Sequence, residues 1–177
     1  MLSGYQTAYA LKLPELLQHV SSKPERFAQF TEAKMAHFLE KPLISKGSME
    51  FKSPSTMIKR MTEPEILEQI IEGDVLSIYQ GAARTKTQSL SANSKLALGI
   101  NAARWVLSGN FEMLEKNFLA NVNGDFNSWT IQLSPKDLEL KEKIKVMLFT
   151  GADQNIQQII IEQPNGNSIT TDLYEHR

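Results

Sequence analysis

The residue types that most often catalyse reactions or bind metals are sparse in this chain and lie far apart. The three histidines are His19, His37 and His176, and no two of them stand at the spacing of a metal-ligand pair. There is no glycine-rich phosphate loop and no G-x-S-x-G motif that would present a nucleophilic serine. Cysteine is absent, which excludes disulfides and thiol nucleophiles. The sequence therefore predicts no catalytic residue, no metal site and no cofactor.

His37 is the one histidine for which an enzymatic role deserves a test. It lies inside the predicted first strand, and a histidine beside a carboxylate can act as a general base. The competing interpretation is an ordinary surface histidine, and it is the one we favour for an isolated residue. A lipid-modifying enzyme that uses His37 and a nearby carboxylate stays as a secondary hypothesis.

Charge is balanced along the 177 residues, because 19 lysines and arginines face 20 aspartates and glutamates for a net charge of −1. Such a chain has no bulk field to attract nucleic acid or an anionic membrane surface. Lys59 and Arg60 are a local exception, since they stand among Met57, Ile58 and Met61 in a strand-like segment. Adjacent strand residues point to opposite faces, so one of the two cations must lean inward. It either snorkels to solvent or forms a cationic entrance that meets an acidic headgroup.

The elements that would position these residues are mostly strands. "LPELLQHV" has helical spacing and predicts a short amphipathic helix from Leu13 to Val20. From Phe27 to Tyr79 the pattern changes to strands of a meander, broken at "EKP", "KSPS", "TEPE" and "EGD". "ARTKTQSL" is polar on both faces and predicts an exposed or edge strand. "SANSKLALGINAARWVLSGN" then predicts the one long helix, with Ser91 or Asn93 as its cap and Gly109 as its stop.

The second half of the chain predicts further hairpins. "NFLANVNGDFNSWTIQL" indicates a strand to Val122, a turn at "NGD" and a strand with Trp129, Ile131 and Leu133 on one face. "KDLELKEKIKVMLF" fits either a continuous strand or a turn of helix that leads into one, and "PNGN" marks the last hairpin. The sum is an α+β, mainly β, fold of about ten strands. Its antiparallel sheet should curl over the helices and leave a cavity.

Five segments in order carry a resemblance to a known family. They are "FTEAK", "KPLISKG", "FKSP", "KRMTEP" and "GDVLSI", and weaker similarity continues through "WVLSGNFEMLEKNF", "WTIQLSPKD" and the end of the chain. From about Phe27 onward the sequence resembles the LolA-type carriers of outer-membrane lipoproteins, and especially their LolA-like relatives. In the lipoprotein carriers an arginine that helps to hold the helical lid precedes the proline of the third segment. This chain has Ser53 there, so we favour the broader LolA-like carriers.

The resemblance implies a half-open, strongly bent antiparallel β-barrel whose concave face is covered by helices. It implies one domain over residues 1–177, with the first helix and lead-in at 1–24 and the bent sheet at 25–177, and with a lid helix near 92–109. It further implies a monomeric carrier rather than an enzyme, in the periplasm, whose signal peptide has been removed. Its partners would be an acylated lipid or lipoprotein, an inner-membrane donor protein and an outer-membrane acceptor protein, with no nucleic acid.

We expect acyl chains to lie between the concave sheet and the lid helix, where flexible methionines can adapt to ligands of variable shape. An alternative keeps the fold but makes it a protein-docking module of an envelope lipid-export system without lipid cargo; a filled interior would favour it. The residues predicted to line the cavity are Met49, Phe51, Met57, Met61, Leu76, Ile78, Leu96, Ile100 and Trp105, and those at its entrance are Lys59 and Arg60.

Overall fold

The computed structural model describes residues 11–90 and 95–175. Ser91 and Asn93, the predicted caps of the long helix, lie outside these ranges, as does His176. The helices are α1 Leu13–Ser21, α2 Lys95–Ser108, α3 Phe111–Asn117 and α4 Leu138–Lys141. The strands are β1 Glu25–Met35, β2 Leu43–Lys52, β3 Thr56–Glu63, β4 Leu67–Glu72, β5 Val75–Gln80, β6 Ala83–Ser89, β7 Phe118–Asp125, β8 Ser128–Pro135, β9 Val146–Ala152, β10 Asn155–Glu162 and β11 Ser168–Tyr174.

All described strands belong to one 11-stranded antiparallel sheet in the order β6-β5-β4-β3-β2-β1-β11-β10-β9-β8-β7. The two halves of the chain each form a meander, and β1 joins them by pairing with β11. β6 and β7 are the edges of the sheet, which bends into a half-open barrel without closing. This confirms the predicted mainly β fold, and the polar "ARTKTQSL" segment is an edge strand as expected.

One face of the sheet is concave and apolar. In β1 it is formed by alternate residues from Arg26 to Glu32, and the register carries the same face through Phe51 and Met49 of β2 to Met57 of β3. The core lies between this face and the helices. Its fully buried side chains include Leu16 and Leu17 of α1, Val106 of α2, Leu114 of α3, and Trp129, Ile131, Leu133, Met147 and Phe149 of β8 and β9.

Helix α2 is surrounded by this core rather than lying on the surface. Ala97, Ala102 and Val106 have no exposed surface, and polar Asn101 and Arg104 of the same helix are also buried. Packing against α1 and α3 on its outer side explains this burial. The helix ends where predicted, at Gly109, whose φ of +71° is easily reached only without a Cβ.

Three segments of the second half of the chain can be compared with the sequence pattern. The predicted turn at "NGD" is wrong, because β7 continues through Gly124 to Asp125 and the chain turns at Phe126 and Asn127. The ambiguous "KDLELKEKIK" segment is the short helix α4, whose Asp137 carboxylate accepts from the backbone N–H of Leu140 at 2.9 Å. The "PNGN" hairpin between β10 and β11 is confirmed.

Gly47 of β2 is fixed by the close approach of β3. A Cβ at this position would overlap the carbonyl oxygen of Arg60, and this atom belongs to backbone that the sheet holds in place. We expect Gly47→Ala to lower the free energy of unfolding by about 2–4 kcal/mol, as measured by guanidinium denaturation.

Gly99 provides the matched control. A Cβ there would meet only Ile144 Cδ1, at an ordinary 3.8 Å, inside helix α2. Because alanine favours the helix, Gly99→Ala should raise the free energy of unfolding by about 0.5–1 kcal/mol. Equal effects of the two substitutions would contradict the packing of β2 against β3.

Candidate functional site

The sheet residues predicted to line a cavity all lie on the concave face. Phe51, Met57 and Leu76 are buried in the core, while Met49 and Ile78 are half-buried and pack against it. The register places each of them inward, because Phe51 pairs with Met57, Met57 with Ile71, and Ile71 with Leu76. Met61 shares this face by alternation but stands outside the core cluster and is half-buried.

The residues predicted on the lid helix divide between two surroundings. Ile100 and Trp105 are both half-buried against the core, but Trp105 lines a polar cavity together with Asn101 and Arg104. The side chain of Leu96 lies outside the described part of the chain. Leu107 of the same helix, which is not among the predicted cavity residues, lines an apolar cleft on the concave face.

A narrow apolar cleft lies where α2 meets the sheet. The cleft has a volume of about 40 Å³ and is lined mainly by Met49, Phe51, Leu107, Ile156, Ile159 and Leu173. Pockets that bind small molecules usually measure about 300–1,000 Å³. The cleft is much smaller than such a pocket, so the open cavity beneath the helix stays a prediction.

Apolar concave surface continues beyond the residues that the helices bury. Met61 of β3, Leu67 of β4, and Ile161 and Ile169 of β10 and β11 lie on the same face and are half-buried. Ile161 pairs with Ile169, and Ile159 of the cleft is the next inward residue of β10. The cleft thus opens onto a wider strip of aliphatic side chains.

A buried ion pair lies in the middle of this face. Lys59 Nζ is 2.5 Å from Glu32 Oε2 and 4.7 Å from the centroid of the Phe30 ring. Glu32 also lies 3.3 Å from Lys34 Nζ and accepts from the hydroxyl of Thr171 at 3.1 Å. The charge of Lys59 is thereby compensated within the sheet.

The pKa values of the pair follow from burial and mutual attraction. Burial acts to raise the pKa of Glu32, but the nearby Lys59 and Lys34 outweigh it and hold this pKa below its ordinary value. Burial lowers the pKa of Lys59, and the attraction of Glu32 opposes that shift only in part. The shift of Glu32 therefore favours its ionised form, whereas burial disfavours the charge of Lys59 and Glu32 offsets that effect only in part.

Arg60 lies on the opposite, convex face and is not part of the concave site. Its guanidinium forms ion pairs with Glu50 and, at 2.5 Å, with Glu68. Because Lys59 and Arg60 alternate along β3, only Lys59 faces inward. The placement of Arg60 at a cavity entrance is accordingly corrected.

Two buried arginines were not singled out from the sequence. Arg26 of β1 donates to the carbonyl of Val20 in the last turn of α1 and lies 3.4 Å from Glu175, so it ties this helix to the sheet. Arg104 of α2 lines the polar cavity. Arg26 shares the inward parity of Phe30 in β1, and this parity could have revealed it.

Ser53 stands where the lipoprotein carriers have the arginine that holds the lid. It is exposed, and no hydrogen bond of its side chain is found within the described residues.

His19 and His37 each have a polar partner on another part of the chain. Half-buried His19 is 2.6 Å from Asp153, and the ring of exposed His37 faces the amide oxygen of Asn167 at 3.3 Å. Among the described residues no ion pair joins His37 to a carboxylate. The described residues contain no group of His, Asp or Glu side chains arranged to hold a metal ion. None of the helices within 11–90 and 95–175 is long and apolar enough to span a membrane.

Comparisons with known proteins place this geometry in a family. The family model described as "Outer membrane lipoprotein carrier protein LolA-like" matches residues 6–174. The fold is similar to that of a LolA superfamily protein from Nitrosomonas europaea, with a TM-score of 0.51, 11% identity and coverage of 95% of this chain and 94% of that one. It is also similar to a DUF1329 family protein from Desulfovibrio piger, with a TM-score of 0.52, 12% identity and coverage of 91% and 88%. A search of curated proteins finds no significant match.

Proposed function

Because the chain belongs to the family of LolA-like outer membrane lipoprotein carrier proteins, we propose that it carries an acylated lipid or lipoprotein toward the outer membrane. The observation that carries this proposal is the apolar concave face, whose aliphatic side chains stay half-exposed beside the cleft under α2. A soluble carrier must hide acyl chains from water, and each buried methylene contributes roughly 0.8 kcal/mol.

The narrow cleft under α2 suggests how affinity would be limited. Acyl chains would enter at the cleft and replace the contacts that Leu107 makes there and that Ile100 makes with the core. Binding then exchanges one apolar contact for another. The net free energy of binding is therefore smaller than the buried apolar area alone would give. A carrier needs such a limit because it must release its cargo to an acceptor.

The compartment, the oligomeric state and the partner proteins follow from the same proposal. The protein would act in the periplasm as a monomer without enzymatic activity, loaded by an inner-membrane donor and unloaded by an outer-membrane acceptor. Lys59 and Glu32 would keep a neutral, hydrogen-bonded centre on the concave face rather than offer a free cation to a headgroup.

Native mass spectrometry of protein purified gently from a Gram-negative host tests the carrier proposal. We expect a stoichiometric acylated species, identified after organic extraction, and its loss in Ile100→Asp because a carboxylate would disrupt the apolar side of α2. Ile66→Asp is the matched control, since Ile66 is 71% exposed in the turn before β4 and should keep the cargo. Protein that comes out empty and takes up no fluorescent acyl probe would contradict the proposal.

The small volume of the cleft favours one second candidate, a protein-docking module of an envelope lipid-export system. In that case partner proteins would bind at the concave face or pair with the exposed edge strand β6. Substitution of Thr85 by proline on β6 should then abolish partner capture and leave acyl-probe uptake unchanged.

A further inference from the structure

A polar cavity of about 350 Å³ lies beside α2 and shares no lining residue with the apolar cleft. Its wall is formed by Asn101, Arg104, Trp105 and Ser108 of α2, by Ser55 from the turn after β2, and by Asp74 from the turn after β4. The volume reaches the range of small-molecule sites, about 300–1,000 Å³. Pro54, Asn110 and Met113 complete the lining, and the charged and amide side chains distinguish this cavity from the apolar cleft.

Arg104 is the residue that gives this cavity its chemistry. The residue is only 7% exposed, and its Nη1 donates to Asn101 Oδ1 at 2.9 Å. Its Nε is buried without a hydrogen-bond partner. No carboxylate of the described residues lies within 4.0 Å of its guanidinium. Buried charges are normally paired, so a cation with one neutral partner is incomplete.

The surroundings favour an anionic partner from solution. Burial lowers the pKa of Arg104 and the attraction of Asp74 opposes this shift, yet a guanidinium remains charged at any physiological pH. Asn101 uses its amide oxygen for Arg104, which leaves its amide nitrogen as the group that can donate to a ligand. Ser55 and Ser108 add hydroxyl groups to the wall. These are the donors that bind phosphate and carboxylate groups.

We propose that the cavity beside Arg104 is a binding site for an oxyanion, a phosphate or carboxylate group, that completes the coordination of this buried guanidinium. Asp74 lies exposed at the same cavity and repels an anion, so it keeps the affinity moderate. The site does not depend on acyl-chain binding, because it is lined by other residues than the apolar cleft. The anion could be free in solution or the headgroup of an amphiphile.

Isothermal titration calorimetry of the whole chain with inorganic phosphate, octyl phosphate and the neutral amphiphile octyl glucoside tests this site. We expect Arg104→Met to weaken phosphate or octyl phosphate binding at least about tenfold, which corresponds to one lost charged hydrogen bond. Arg84→Met is the matched control, because Arg84 is an exposed arginine on β6 and its loss changes the net charge equally. Binding of inorganic phosphate would indicate a free anion, whereas binding of octyl phosphate alone would indicate a headgroup.

Asp74→Asn keeps the proposal testable even if Arg104→Met fails to fold. The substitution removes an exposed negative charge and should tighten anion binding several-fold, with a smaller effect at high salt. The proposal is overturned if no anion binds in an Arg104-dependent way. It is equally overturned if Arg104→Met only increases acyl-probe uptake, because Arg104 would then hold α2 rather than bind a ligand.

Discussion

Cross-linking residue 49 to residue 107 is expected to abolish the uptake of fluorescent acyl probes. Met49 of β2 and Leu107 of α2 line the same narrow cleft, so a short bismaleimide between Met49→Cys and Leu107→Cys would hold the helix against the sheet. The chain has no cysteine of its own, and the pair is therefore unique. If acyl chains enter by parting these surfaces, probe binding should fall to the background level in a fluorescence titration.

A reversible link and a second pair serve as controls. A cross-linker with an internal disulfide should restore uptake when the disulfide is reduced. This recovery would show that the link itself, and not the two cysteine substitutions, blocks uptake. Asn121→Cys and Gln132→Cys lie opposite each other on exposed positions of β7 and β8, where a link leaves α2 free and uptake should be unchanged. Full uptake by the linked 49–107 protein would place the acyl site elsewhere on the concave face.

The inward and outward faces of the strands were predictable because alternation is a local feature of the sequence. Alternating residues in β2 and β3 predicted which side chains face inward, and the register of the structure places Met49, Phe51 and Met57 together on the concave face. The prediction of a turn at "NGD" was wrong because the hairpin turns two residues later. Gly124 is needed within β7, where a Cβ would overlap the backbone of Ser128, and Asp125 instead accepts from the N–H groups of Asn127 and Ser128 at 2.8 and 3.1 Å.

The candidate site was predictable only in part, because its polar members depend on distant partners. Alternation puts Lys59 on the same face as Met57 and Met61, but its partner Glu32 lies on β1, far away in the sequence. The polar cavity left a readable signal in α2, since Asn101, Arg104 and Ser108 repeat at helical spacing. That pattern resembles a solvated helix face, and only the turns after β2 and β4 and the start of α3 turn it into a lined cavity.

Glu32→Gln should be among the most destabilising substitutions on the concave face at neutral pH. The substitution removes the carboxylate that lies 2.5 Å from Lys59 Nζ. The side chain of Lys59 is only 21% exposed, so water replaces this partner poorly. Breaking a buried pair typically costs about 3–5 kcal/mol, and the partial exposure of Lys59 reduces our expectation to about 2–4 kcal/mol. Glu50→Gln is the matched control, since it removes one of two carboxylates beside Arg60 on the convex face and should cost about 1 kcal/mol or less.

The pH dependence of this deficit distinguishes electrostatics from simple loss of packing. The pKa of Glu32 is lowered in the folded protein, so its stabilising effect is present above its unfolded pKa and is lost as the pH falls through the folded value. The pKa of Lys59 is also lowered, so burying its charge costs free energy in full below the folded pKa, and this cost fades as the pH rises from the folded toward the unfolded value. Without Glu32 the pKa of Lys59 falls further, so the larger cost in the variant begins to fade at a lower pH than in the wild type. The difference in unfolding free energy between the wild type and Glu32→Gln should therefore be largest near neutrality and shrink in acid and in alkali. A difference independent of pH would mean that Glu32 acts through packing alone. Restoration of stability by adding Lys59→Met would confirm that the unpaired ammonium is the source of the lost stability.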